Sequence, residues 1–513
     1  MQVLTASEAI GRIRSGSTLV SSGFRFAAAP EELLAALGQR FVATGTPVDL
    51  RLVYSSAQGG HGAGRGLDHL AHPGMLREII GGYYGSAPRI KAMLNDNSVE
   101  AWNLPQGQIA LLYRAIAAGQ PGVVTHVGLH TFVDPRIEGG RVTPRTARDI
   151  VQVVELAGKE WLFYPAFPID ACLLRGTTAD EFGNISLEKE AVRLEALSIA
   201  MATRNSGGVV IVQVERLAKG RSLAPLQVEI PGHLVDVVVM CSDPANAHQQ
   251  ALDEVYNPAY NGEVMLPSAR VVPIPFSVRK VIARRAADFV KPGMVVNLGQ
   301  GMPEGVGAVA QEEGIMDSLW TTLESGVIGG VPTKHVNFGV ATNPMAIIRH
   351  DDQFAFYNGG GVDLSCLGFA QVDATGAVNV SRFGGSFTGA GGFIDICART
   401  RQLVFCGMFE AGAKVELNGG KVDVRSDGSA CKFVETVDQI TFSARHAVQE
   451  GRRVSLVTER AVFELTPDGW ALREVAPGIR INEDVLDRMR FRPIVERVEM
   501  MRAELFVDVG LDG

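Results

Sequence analysis

Lys291-Pro-Gly-Met-Val-Val-Asn-Leu-Gly-Gln-Gly-Met-Pro-Glu304 is the stretch that decides the fold. Pro-Gly stops the helix predicted over 277–290, Met294–Leu298 is an apolar run of strand length, and Gly299-Gln-Gly301 turns the chain into a helix opened by Pro303. The same succession stands near the start. Thr5-Ala-Ser-Glu8 has the form of a capping box, Ser15-Gly16 ends that helix, Ser17–Ser21 is a strand, and Pro30-Glu-Glu-Leu-Leu opens the next helix. A unit of helix, strand and helix is written twice.

A second matched pair extends the repeat. Asp180-Glu-Phe-Gly-Asn-Ile-Ser186 parallels Asp373-Ala-Thr-Gly-Ala-Val-Asn-Val-Ser381, and each precedes an apolar strand, Val209–Val214 and Leu403–Cys406. Strands alternating with helices predict βα units and parallel sheets covered by helices. The fold class expected is α/β: two tandem open α/β domains, mostly parallel sheets flanked by helices. The boundaries read as 1–252 for the first domain, with an insertion over about 61–150, then a Pro/Asn/Tyr-rich linker over 253–273 and a second domain over 274–513 that carries the nucleophile. A chain of 513 residues exceeds what one core usually serves, which agrees with two domains.

Composition narrows the partners. A net charge of -8 argues against nucleic acid or an anionic membrane surface as the main partner. Apolar runs fall short of a membrane span, and the first residues lack the basic and apolar regions of a secretory signal. Six cysteines without a C-x-x-C pair read as reduced thiols. The expected setting is the cytoplasm. Glycine is abundant, with 58 residues, which suits tight turns and close approach of a ligand to the backbone.

Chemistry concentrates in Trp320-Thr-Thr-Leu-Glu-Ser-Gly-Val-Ile-Gly-Gly-Val-Pro332. A strand-like run ends on Glu324 and a glycine-rich turn follows, so the carboxylate stands where a ligand beyond the sheet is reached. Ionised, it is a nucleophile for an activated acyl group. Three glycine-rich segments, at 299–303, 326–332 and 389–393, offer backbone N–H donors for the oxyanion of such a reaction. Rival chemistries lack their signatures: there is no dinucleotide fingerprint after a strand, no phosphate-binding P-loop, no G-x-S-x-G elbow and no H-E-x-x-H. His61, His69 and His72 cluster, but local hydrogen bonding explains loop histidines better than a metal does, and no metal is assigned.

Asn297–Val306, Glu324–Pro332 and Gly389-Ala-Gly-Gly-Phe-Ile-Asp395, together with Thr131–Arg136 and Arg175–Asn184, resemble the family I CoA-transferases. The likeness is to the single-chain, propionate CoA-transferase-like branch that moves CoA between short-chain acyl-CoAs and acids such as acetate or 3-oxoacids, and it covers nearly the whole chain. It implies that Glu324 is the nucleophile of a ping-pong reaction passing through a glutamyl-CoA thioester. It also implies oxyanion amides at Gly301 and Gly391, and contact of Gln106 with the substrate carboxylate. Gly299, Gly329, Gly392 and Phe24 are carried over as substrate-binding positions. No permanently bound cofactor is implied; coenzyme A is substrate and covalent adduct, the partners are acyl-CoA and small carboxylic acids, and a homo-oligomer (dimer or tetramer) is expected. The loop Ser22-Gly-Phe-Arg-Phe-Ala-Ala-Ala29 departs from the glycine-rich loop of the family, which bears on the acyl pocket. Two alternatives share these motifs: an acyl-CoA thioester hydrolase on the same fold, and a non-enzymatic metabolite sensor, for which no basic output module is present.

Overall fold

A computed structural model describes residues 1–60, 62, 64–267, 273–333 and 335–508. Chain contacts divide it into two compact units: the first holds Met1–Leu266, Leu323–Phe356 and Ser386–Asp395, and the second holds Pro267–Thr322, Tyr357–Gly385 and Ile396–Gly513.

In the first unit the capping box at Thr5 is formed, with the Glu8 N–H donating to Thr5 Oγ1 at 3.3 Å and the Thr5 N–H to Glu8 Oε2 at 2.9 Å. Eight parallel strands follow the order Gln2–Leu4, Val237–Met240, Val209–Ala218, Ala171–Asp180, Thr18–Ser21, Leu50–Tyr54, Leu76–Gly81 and Glu100–Asn103. Val237–Met240 and the apolar stretches Val209–Val212 and Ala171–Leu174 fit strands covered on both faces. Leu19, Leu52, Ile79, Leu173, Ile211 and Val237 join one core with Leu33, Leu34 and Leu37 of the helix Glu31–Thr44.

In the second unit the central parallel strands run Arg453–Val457, Gln402–Cys406, Leu364–Leu367, Val295–Leu298 and Trp320–Thr322, with Ala461–Thr466 and Gly469–Val475 added antiparallel at one side. Taken in chain order, the five parallel strands occupy the same relative places as Thr18–Ser21, Leu50–Tyr54, Ala171–Asp180, Val209–Ala218 and Val237–Met240. The matched turns agree in detail. Asp180 Oδ1 accepts from the N–H groups of Phe182 and Asn184, and Asp373 Oδ1 from those of Thr375 and Ala377. Gly183 and Gly376 take φ of 82° and 84°, the left-handed backbone such a turn needs.

The boundaries differ from the expected ones in three respects. Residues 253–266 are not a loose linker: Ala259 is buried and its carbonyl accepts the Asn343 N–H at 2.8 Å; residues 268–272 lie outside the described ones. The stretch over about 61–150 is no appendage, because Leu76–Gly81 and Glu100–Asn103 are strands of the main sheet. Glu324 groups with the first unit, not the second, since its segment Leu323–Phe356 is tied there through Asn343 to Ala259 and through the His350 N–H to the Leu194 carbonyl; the segment Ser386–Asp395 joins the same unit through the Ala390 N–H to Asn103 Oδ1.

One buried ion pair braces the first unit. Arg175 and Glu190 meet bidentately at 2.9 and 2.7 Å, and Arg175 Nη1 also reaches the carbonyls of Phe26 and Ala29. Burial works to raise the Glu190 carboxyl, but Arg175 and His248 outweigh it and hold the group down at about 2. The pair's contribution to stability is in place above the ordinary value of 4.5 and fades as pH falls towards 2. Arg175→Met leaves Glu190 buried without its partner, so denaturant melts should lose roughly 3–5 kcal/mol.

All six cysteines are free thiols, five buried and Cys431 half-buried. Among the described residues no helix is long and apolar enough to cross a membrane.

Candidate active site

Glu324 follows the strand Trp320–Thr322 directly, inside a tight turn closed by the Gly326 N–H on the Leu323 carbonyl at 3.0 Å and the Leu323 N–H on the Val327 carbonyl at 2.9 Å. Gly326 is dictated twice over. Its φ is 99°, and a Cβ there would lie 2.2 Å from the Ile348 carbonyl oxygen. The Ser325 hydroxyl donates to the Gly339 carbonyl and pins the outer side of the turn. The carboxylate is therefore presented by rigid backbone.

The second element is the glycine loop ahead of the helix Phe393–Arg399. Asn103 organises it: Oδ1 accepts the Ala390 N–H, while Nδ2 donates to the carbonyls of Gly81 and Gly82. The Gly391 N–H donates to the Gly82 carbonyl at 2.8 Å, and the Gly391 carbonyl accepts from the Gln106 N–H. The amide expected to serve the oxyanion at Gly391 is thus committed to holding the loop. It is the Gly392 N–H that meets the Glu324 carboxylate. A Cβ at Gly392 would stand 1.9 Å from Glu324 Oε2, which measures how closely this backbone approaches the carboxylate.

Gln106 opens the helix Gln106–Ala117 and is buried, its Nε2 lying 3.0 Å from His350 Nε2. The other imidazole nitrogen, Nδ1, is 2.6 Å from Glu195 Oε2, and Glu195 Oε1 accepts from the Ser55 hydroxyl. Buried Asp395 accepts the Gly107 N–H at 2.9 Å and the Gln108 amide at 2.7 Å, which fixes the helix start against the glycine loop.

Burial pushes the Glu324 carboxyl up to about 7; His350, Arg25 and the Gly392 N–H pull it down, while Asp395 pushes it further up. Near neutral pH the group is poised between its protonated and ionised forms. His350 is moved the other way: burial works against its charge, but Glu195, Glu324 and Asp351 together raise it above its ordinary value.

Phe24 is buried in a cluster with Leu323, Val327, Val340 and Ala341, edge-on to His350 with ring centres 6.4 Å apart. Arg25 beside it has a left-handed backbone, φ 52°. The bulky loop thus stands against the turn that carries Glu324. Gly329 sits elsewhere in its hairpin, where φ is 71° and a Cβ would lie 2.5 Å from Met345 Cγ, so packing accounts for that glycine. Gly299 and Gly301 belong to the second unit, after the strand Val295–Leu298; the Gly299 N–H donates to the Cys366 carbonyl, and Gly301 has φ of 88°. His69 lies 2.9 Å from Glu31 and His72 stacks on Phe41, while His61 lies outside the described residues.

Glu195 and His350 are the members that reading the sequence missed. Glu195 and His350 are 155 residues apart with no motif around either, and only the folded sheet brings them together. Asp395 lay inside a recognised segment with no role assigned.

The Glu324 carboxylate on its turn, set against the Gly392 backbone, is the arrangement that the comparisons with known proteins bear on. Residues 3–240 match the family model described as coenzyme A transferase. The chain is 41% identical to a caffeate CoA-transferase of Acetobacterium woodii, over 99% of this chain and 98% of that one. It is 38% identical to the acetate CoA-transferase YdiF of Escherichia coli K12, over 99% and 96%. A crystal structure of the acyl-CoA transferase from E. coli O157:H7, a thioester complex with CoA, superposes with a TM-score of 0.93 at 38% identity, again over 99% and 96% of the chains. The chain belongs to the coenzyme A transferase family. It is an enzyme that transfers coenzyme A between an acyl-CoA and a carboxylic acid.

Proposed function

We propose that Glu324 is the nucleophile and that the acids exchanged are short-chain ones of the acetate, propionate or 3-oxoacid class. The observation that carries this is the Glu324 carboxylate on its rigid turn, met by the Gly392 N–H. One carboxylate oxygen attacks the thioester carbonyl of the donor, CoA leaves as thiolate, and an acyl–glutamyl anhydride forms. The thiolate then attacks the glutamyl carbonyl, the first acid departs as carboxylate, and glutamyl-CoA remains. The incoming acid reverses both steps. Charge and atoms balance within donor, acid and Glu324, so the steps need no oxidant or reductant. The thioester complex of the E. coli O157:H7 relative supports this intermediate. The wall of Phe24, Phe338 and Leu323 beside the turn supports a small apolar acyl group.

Incubation with acetyl-CoA and no acceptor should leave coenzyme A on the peptide containing Glu324, found by mass mapping after rapid quenching. An adduct on a cysteine, or none in enzyme that still exchanges, counts against the assignment.

A further inference from the structure

We propose that His350, gripped by Glu195, is the positioning residue of this site: it orients the Gln106 amide and keeps positive charge behind Glu324, so the carboxylate is ionised when substrate arrives. The inference rests on the reading of Glu324 as nucleophile. Its basis is a buried series of contacts, Ser55 to Glu195 to His350 to Gln106, in which every member after Ser55 is 1% exposed or less. A carboxylate on Nδ1 fixes the ring and holds its proton there; the charged ring also carries a proton on Nε2, which donates to the Gln106 side-chain oxygen when that amide is turned to face it.

The ring is also packed into the site. Phe354 meets it edge-on at 4.9 Å, and the same Phe354 lies 3.1 Å from the position of a Cβ at Gly392, which is itself against Glu324 Oε2. Phe24 closes the other side. His350 is fully buried, so its charge is screened little by solvent and is felt by the neighbouring carboxylate.

Charged groups reach this ring from several elements. Glu195 stands at the start of the helix Ala196–Asn205, Glu324 on its turn, and Asp351 follows in the ring's own helix. Asp351 is occupied by the Ser198 hydroxyl at 2.7 Å and the Arg114 guanidinium at 3.3 Å. Arg25 and Asp395 act on Glu324 with opposite signs, and Tyr113 is in the field of Glu195. Glu195 is the anion that touches the imidazole nitrogen directly, which makes it the residue that holds the ring charged.

The test is the pH dependence of exchange in His350→Gln and Glu195→Gln, with melting temperatures measured alongside. Positive charge beside a carboxyl lowers its pKa, so removing that charge must move the acidic limb of the rate profile to higher pH. A shift of about one pH unit is expected in both variants, cutting the ratio of the rate near pH 6 to that near pH 9 roughly tenfold. A uniform loss of rate with the limb unmoved would mean a purely structural role and would overturn the proposal. Should His350→Gln not fold, Glu195→Gln, which keeps the shape of the contact, decides alone. The pH midpoint of carbodiimide labelling at Glu324 is read in the same proteins. It must rise by the same amount if the proposal holds, and an unchanged midpoint refutes it. If wild-type enzyme carries no CoA on Glu324, the assignment of the nucleophile falls, while the labelling midpoints still decide whether His350 controls that carboxyl.

Discussion

Glu324→Asp should lose exchange steeply, on the order of 10²-fold or more, while slow hydrolysis of acyl-CoA appears or persists. Shortening the side chain by one methylene draws the carboxylate back from the thioester carbonyl, and a misplacement of about 1 Å is enough for a loss of about 10²-fold. The turn cannot move to compensate. Gly326 is locked against the Ile348 carbonyl and the Ser325 hydroxyl against that of Gly339. The Gly392 N–H remains in place to polarise a bound carbonyl. The vacated space admits a water, which the aspartate activates as general base. Exchange and hydrolysis are followed together by separating acyl-CoA, free CoA and the new thioester over time. Near-normal exchange in this variant would show that Glu324 is not the attacking group.

Gly392→Ala should be nearly as damaging, with little change in thermal stability. The backbone at Gly392 does not occupy the left-handed region, so alanine fits it, but the new methyl falls 1.9 Å from Glu324 Oε2. The obstacle is the free end of a rotatable side chain. The carboxylate swings aside, the fold loses little, and the nucleophile is no longer where the thioester carbonyl arrives; a loss of about 10²-fold follows. Gly391→Ala is the contrast. There φ is 58° and the nearest atom to a Cβ is Gln106 Oε1 at 3.7 Å, so the added methyl makes only ordinary contacts but is held in a left-handed backbone. That costs about 1–2 kcal/mol of stability and spares the rate. Melting temperature and exchange rate, measured for both variants, separate the roles; equal loss of rate in the two would contradict this division.

The architecture was legible because the repeat is carried by local signals. Pro-Gly stops, apolar strands and Pro-opened helices need only neighbours in sequence, and the Asp180 and Asp373 turns close on themselves. Glu324 was legible for the same reason, a charge at the end of an apolar run. What stayed hidden depends on contacts between distant segments. Which of two adjacent glycines offers its N–H to the carboxylate is decided by the Gly82 carbonyl and Asn103, far back in the first half of the chain. Glu195 and His350 gain meaning only when a strand end, a helix start and a turn converge. The division into units escaped for a related reason: the second half of the chain lends two segments to the first, and composition carries no trace of the loan.

Phe24 and Gly339 bind one another's evolutionary futures. The aromatic ring occupies the space a side chain at 339 would need, with a Cβ there only 2.3 Å from it, and the backbone at 339, φ 104°, excludes other residues on its own account. A lineage that trades Phe24 for a smaller residue therefore cannot refill the hole from position 339. The vacancy opens beside Leu323, next to Glu324, and on the proposed reading of Glu324 its tenant is a larger acyl chain. Taste for a new acid is a change this fold can make at a single codon.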